Sequence, residues 1–275
     1  MENTAHIIPP RGDHIMTIIL LHGRDSTATE FAEEFFEEET SDKRTLLEVF
    51  PTTKWVFPSS KIRDSARRIA AGFEDKSMSQ WFDMYSTEDP SENTDIQIDG
   101  LRGSVSEILD LVRSEATLIS SDRVFLGGIS QGCATAIYAL LFGGIRLGGF
   151  IGFSSWLPFE QEITTKMNES GGWSIDEYRM YYNHKILNSS AESTLITSNG
   201  EKTNVLKTPV FLSHSADDDV VSITNRERLS ATLERLGMVV SWKRYEDGGH
   251  WIHEIQGVSD IVSFIHSCTR DKREN

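Results

Sequence analysis

The chain is poor in cysteine, in positive charge and in long apolar runs. Cys133 and Cys268 are its only cysteines. Two cannot build a disulfide framework, so a reducing, cytoplasmic setting is expected. Lysine and arginine number 27 against 42 aspartates and glutamates, a formal net charge of -15. That balance argues against nucleic acid as a partner and against electrostatic adsorption to anionic membranes. No apolar run reaches the roughly 20 residues of a membrane span. Residues 1–13 lack the apolar centre of a secretory signal, and residues 269–275 read as a flexible charged tail without a prenylation box or retention signal. No stable membrane anchor is expected. The acidic run Glu37-Glu38-Glu39 reads as a solvated helix face, so no metal site is predicted.

Against these absences stands one stretch with chemical content, Val124-Phe125-Leu126-Gly127-Gly128-Ile129-Ser130-Gln131-Gly132-Cys133-Ala134. An apolar run stops at glycines, a serine follows between Gly128 and Gly132, and a helix-forming run begins at Ala134. This is G-x-S-x-G in the strand–turn–helix setting that holds a nucleophile in a strained conformation, where neighbours without side chains let strand and helix pass closely. Cys133 reads as a small buried residue of the helix that follows.

The rest of the chain alternates strand and helix patterns. His6 to Ile8 and Ile15 to Leu21 read as strands joined through Pro9-Pro10-Arg11-Gly12-Asp13 as a hairpin. Thr27 and Glu30 have capping-box spacing at the start of a helix with Phe31, Phe35 and Phe36 on one face. Trp55 to Phe57 is a short strand, and residues 59–100 lack periodicity. Ser104 and Glu107 predict a second capped helix start. Beyond the elbow, Gly149 to Ser154, Pro209 to Ser213 and Val239 to Tyr245 read as strands. Helices are predicted from Thr224 to near Gly237 and from Glu254 to Ser267. Residues 159–207 read as an insertion with one helix, from Ser174 to about Leu187, acting as a cap over the site. The alternation predicts a single α/β domain over residues 1–275, a mostly parallel central sheet with helices on both faces, with its site beyond the C-terminal strand ends.

Serine needs a positioned base, and imidazole is the usual one near neutral pH. In this fold class the chain order is serine, acid, histidine. His250, after the last strand in a Gly-Gly loop, fits the base. His253 is assigned to the closing helix and His214 to a structural place at a strand end. Asp217, Asp218 and Asp219 share the right loop and spacing does not separate them; Asp247 is badly placed because it shares a turn with His250. The backbone N–H of Gln131 follows the nucleophile and is one expected oxyanion donor. His22-Gly23-Arg24, after the first long strand, makes the N–H of Arg24 the other. The aromatic group around Trp81-Phe82 reads equally well as packing or as pocket lining.

Several segments resemble the acyl-protein thioesterase and phospholipase/carboxylesterase group of α/β-hydrolases. They are Leu21-His22-Gly23, Trp81-Phe82-Asp83, Leu126 to Gly132, Ser155-Trp156-Leu157-Pro158, His214 to Val221, and Tyr245-Glu246 leading to His250. The resemblance implies an α/β-hydrolase fold and selects Asp218 as the acid, through the pattern shared by His214, Asp218 and Val221. It implies Arg24 and Gln131 as oxyanion donors and a substrate-binding place for Trp81, Trp156 and Leu157. The chain departs from the family pattern at Ser215, Cys133 and Arg24, at Pro58-Ser59-Ser60-Lys61, in the length of residues 159–207, and in lacking an N-terminal cysteine.

The expected function is a serine hydrolase that cleaves carboxylic esters or thioesters without a cofactor. S-acylated proteins, lysophospholipids and small soluble esters are the candidate substrates. The alternative from another class is a catalytically silent α/β-hydrolase serving as a ligand-binding module.

Overall fold

The computed structural model describes residues 5–187 and 204–270. In chain order its elements begin with β1 (His6–Ile8), β2 (Met16–Leu21), α1 (Ala28–Glu37), α2 (Leu46–Val49) and β3 (Thr53–Phe57). Then come β4 (Lys61–Asp64), α3 (Ala66–Ala70), β5 (Ser77–Gln80), α4 (Gln97–Leu118), β6 (Val124–Ile129) and α5 (Ser130–Gly143). The chain continues with β7 (Gly149–Phe153), α6 (Glu160–Glu169), α7 (Ile175–Tyr182), β8 (Val210–Ser215), α8 (Ile223–Arg235), β9 (Val240–Tyr245) and α9 (Gln256–Arg270).

Seven strands form one sheet in the order β1-β3-β2-β6-β7-β8-β9, and β4 pairs with β5 apart from it. All neighbours in the large sheet are parallel except β1, which runs antiparallel to β3. Every residue of β2 is buried, as a strand covered on both faces requires. Ile18 and Leu20 pack with Phe31 and Phe35 of α1 and Ile261 of α9 on one face. Ile19 and Leu21 pack with α4 and α5 on the other. From β2 the chain winds outward to β3 on one side and later to β6 on the other. That reversal opens a crevice at the C-terminal ends of β2 and β6, where sheets of this kind bind ligands.

Several elements differ from the sequence expectation. β1 and β2 are not a hairpin, because β3 lies between them, pairing His6 with Phe57 and Ile18 with Trp55. α4 starts at Gln97, before Ser104, whose hydroxyl donates to the Trp81 carbonyl at 2.6 Å. α8 starts at Ile223 behind a Ser222 cap, one residue before the expected Thr224. Residues 59–100 contain the β4–α3–β5 unit, a structured lobe. The capping box of Thr27 and Glu30 on α1 is present as read.

Within residues 159–207, α6 and α7 are two helices where one was expected. α7 packs on α5, where the Arg179 side chain donates to the Leu141 carbonyl; α6 meets α8, where Arg235 donates to Asn168; and Arg102 of α4 donates to the Ile186 carbonyl beyond α7. The remaining part of that segment, 188–203, and the tail beyond 270 lie outside the described residues. No helix among the described residues is long and apolar enough to cross a membrane. Among them, no group of three or more His, Cys, Asp or Glu side chains is placed to hold a metal ion.

Candidate active site

β6 hands the chain to α5 through Ser130, whose φ of 54° is the left-handed region that a non-glycine residue occupies only under constraint. The glycines around it supply that constraint. A Cβ on Gly132 would strike the carbonyls of Leu21 and His22, and one on Gly128 would strike the Leu21 carbonyl. α5 therefore lies directly against the end of β2. Ser155, after β7, donates to the Ser130 carbonyl at 2.7 Å and braces the turn from the other side. Burial pushes the Cys133 thiol, one turn into α5, up to about 12, so it remains a neutral packing group.

Asp218 lies in the loop after β8 and His250 in the loop after β9. The loop after β8 folds back on itself, so that the amides of Val220 and Val221 both donate to Asp218 Oδ1 at 2.9 Å. Its Oδ2 faces His250 Nδ1 at 2.8 Å and His214 Nε2 at 2.9 Å. Burial alone would raise this carboxyl. The hydrogen bonds from His214, His250 and the Val221 amide outweigh it and hold the group well below the usual carboxylate range. An ionised carboxylate only accepts, so His250 presents Nδ1–H to it and keeps Nε2 as an acceptor. His214 Nε2 also meets the Val221 carbonyl at 2.8 Å, which makes that nitrogen the protonated one and fits the structural place read for this residue.

The three adjacent aspartates separate cleanly. Asp217 accepts from the Gly249 amide at 2.9 Å, Asp219 is exposed, and Asp218 alone meets His250. His253 does not belong to α9, which begins at Gln256; it lies in the preceding loop and faces Asp247 at 3.1 Å.

Ser130 and His250 line one cleft of about 250 Å³ together with Gly23, Arg24, Ile129 and Trp251. Phe31 and Glu34 of α1 close one flank, Met78 of β5 and Val220 the others. Trp251 is fixed there by its Nε1–H to Glu38 at 2.8 Å and an edge-on contact with Phe31.

The loop after β2 is held residue by residue. The Ser60 amide donates to His22 Nε2 at 3.0 Å, so His22 carries its proton on Nδ1, which donates to the Gly23 carbonyl at 2.7 Å. Burial lowers the His22 pKa to about 4 and keeps the ring neutral. That carbonyl belongs to the same peptide group as the Arg24 N–H, which has no hydrogen-bond partner among the described residues.

Trp81, Trp156 and Leu157, singled out in the sequence, are all buried. Trp81 is 1% exposed and donates through Nε1 to the His22 carbonyl at 2.8 Å. The Gln131 side chain accepts from the Trp81 amide at 2.9 Å and donates to the Phe82 carbonyl at 2.7 Å. Trp156 and Leu157, each 2% exposed, border a separate small depression with Pro90 and Arg228. None of the three lines the cleft that holds Ser130.

A parallel sheet crossed by a helix at a strained serine, with a histidine–aspartate pair on the following loops, defines an α/β-hydrolase. The phospholipase/carboxylesterase family model matches residues 2–183, and the chain belongs to that family. A prolyl oligopeptidase family model also matches, over residues 105–272. Acyl-protein thioesterase 1 of Schizosaccharomyces pombe is 29% identical over 163 residues, 59% of this chain; the chain spans 65% of that relative's length. Acyl-protein thioesterase 1 of Yarrowia lipolytica is 24% identical over 96% of both chains. Among solved structures, acyl-protein thioesterase 2 of Zea mays superposes with a TM-score of 0.65 at 22% identity, covering 97% of this chain and 99% of that one.

Proposed function

We propose that the chain is a serine hydrolase of carboxylic esters and thioesters, with Ser130 as nucleophile, His250 as base and then acid, and Asp218 as the group that orients His250. The observation that carries this reading is the 2.8 Å contact between His250 Nδ1 and a buried, ionised Asp218, with Nε2 left to accept in the cleft that Ser130 lines.

The Ser130 hydroxyl attacks the acyl carbon and its proton passes to His250 Nε2. The carbonyl oxygen, now an anion, is held by the N–H groups of Arg24 and Gln131. One such donor contributes about 3 kcal/mol to transition-state stabilisation. Asp218 stabilises the imidazolium formed in this step without taking the proton itself. The intermediate collapses, the alcohol or thiol leaves with the proton from His250, and the acyl group stays on Ser130. Water, activated by the same nitrogen, attacks that ester and releases the acid.

S-acylated proteins are the substrate class that the names of the relatives suggest; lysophospholipids and small esters would be processed by the same chemistry. Substrate-binding roles for Trp81, Trp156 and Leu157 belong to the same reading: Trp81 acts through the His22 carbonyl to which it donates, and Trp156 and Leu157 act through the separate depression they border. A cytoplasmic setting goes with this reading. The test is kcat/KM on matched acyl thioesters and oxyesters of graded chain length. Turnover of long-chain thioesters supports depalmitoylation. Turnover of acetyl-sized oxyesters alone leaves an esterase and removes the thioesterase reading. Failure to turn over any ester removes both.

A further inference from the structure

We infer that the Arg24 side chain is a positioning residue for oxyanion stabilisation: its guanidinium ties the loop after β2 to the β4–α3–β5 lobe and so fixes the direction of the Arg24 N–H. The inference rests on the serine hydrolase reading above and concerns a side chain where the sequence reading used only the backbone.

The peptide between Gly23 and Arg24 carries the proposed donor, and glycine on one side of it permits rotations that other residues forbid. Something else must fix that plane. At the carbonyl end, neutral His22 donates to the Gly23 oxygen. At the other end, the Arg24 guanidinium is 12% exposed and spans two partners, Gln80 Oε1 at 3.0 Å and Ser65 Oγ at 2.9 Å, with Asp83 at 3.9 Å. Burial lowers its pKa while Asp83 opposes that. The partners are themselves anchored. Gln80 donates to the Asp64 carbonyl at 3.0 Å, and the amide of Ala66 donates to Asp83.

The next residue repeats the attachment. The Asp25 amide donates to the Ser79 carbonyl at 2.7 Å, its φ is 63°, and its carboxylate pairs with Arg68 at 2.8 Å. These contacts reach the β4–α3–β5 lobe and Asp83 just beyond it, and the β4–β5 pair at the lobe's centre is separate from the main sheet. A two-stranded unit has little stability alone. Loop and lobe therefore hold each other, and Arg24 is the bidentate link between them. A fork of this shape is something a lysine reproduces only in part.

The test compares wild type with Arg24→Met, which keeps the stem and removes the donors, and with Arg24→Lys. Three quantities are read: kcat, KM and the inhibition constant of a trifluoromethyl ketone, whose adduct on Ser130 carries the same oxyanion. Arg24→Met is expected to lower kcat about tenfold, or 1.4 kcal/mol, with KM changed less than about twofold. The ketone should bind about tenfold more weakly, in step with kcat. Arg24→Lys should recover part of both. Ser65→Ala, which removes one acceptor, should shift both in the same direction by less, and carries the test if Arg24→Met does not fold. Unchanged kcat and ketone affinity in active, folded variants would overturn the inference while leaving the hydrolase reading intact. A loss confined to KM would do the same. A wild type inert towards every ester would remove both.

Discussion

His250 and His253 lie in one loop and each faces an aspartate, at 2.8 and 3.1 Å. By distance the two pairs are nearly equivalent; by surroundings they are opposites. The Asp218 side chain is fully buried and accepts from two amides and two imidazoles, whereas the Asp247 side chain is 83% exposed. In water an ion pair contributes little, and its partners are free to exchange with solvent. A buried carboxylate with every lone pair occupied holds one charge state and one direction, which a base-orienting group needs. Contact alone does not make an orienting pair; burial with full satisfaction does.

The largest expected effect breaks the first pair. Asp218→Asn keeps the shape but offers an amide where His250 and His214 both donate, and kcat should fall about 10⁴-fold, as when the orienting aspartate of other serine triads is amidated. Steady-state kinetics on a short-chain ester measure it, and a loss below tenfold would remove Asp218 from its role.

Next in size is a consequence of burial at a third histidine. The folded chain holds His22 near pKa 4, below the 6.5 of a free imidazole, so between those values the unfolded chain binds more protons. Stability is therefore complete above about pH 6.5 and lost as pH falls towards 4, by roughly 3 kcal/mol from this group. Urea unfolding as a function of pH should show a steeper decline for wild type than for His22→Asn. Parallel declines would contradict it.

Gln131→Ala leaves the Trp81 amide and the Phe82 carbonyl without partners in the core beside the elbow. A loss of about 2 kcal/mol in unfolding free energy is expected. The smallest effect belongs to the second pair: Asp247→Asn and His253→Gln should leave kcat/KM within about twofold of wild type, as for other exposed pairs. A tenfold loss in either would erase the contrast between the two histidines.

The elbow and the order of the site residues were legible because their chemistry is written locally. A serine at positive φ is packed between glycines, and Asp218 and His250 follow their strands closely. Asp218 was not separable from its neighbours by spacing, since the distinction lies in which loop amides turn inward. The β1–β2 hairpin was misread because a strand inserted from later in the chain leaves no mark on the two it separates. Residues 61–80 looked irregular for a related reason. Their strands are short and partly exposed, and β5 is held by Arg24 through Gln80 and by the Asp25 amide through Ser79, far away in sequence. Ser104 shows the limit of capping signals, its hydroxyl being drawn to the Trp81 carbonyl in mid-helix. His253 was assigned to the closing helix, but the loop that holds both histidines runs on to Gln256.

The most direct test of the central assignment is intact-protein mass spectrometry after treatment with a fluorophosphonate, with peptide mapping of the adduct. One equivalent on the peptide that carries Ser130 in the folded wild type, and none in Ser130→Ala, is the predicted result. A folded wild type that takes up no label, or equal labelling of Ser130→Ala, would contradict the account.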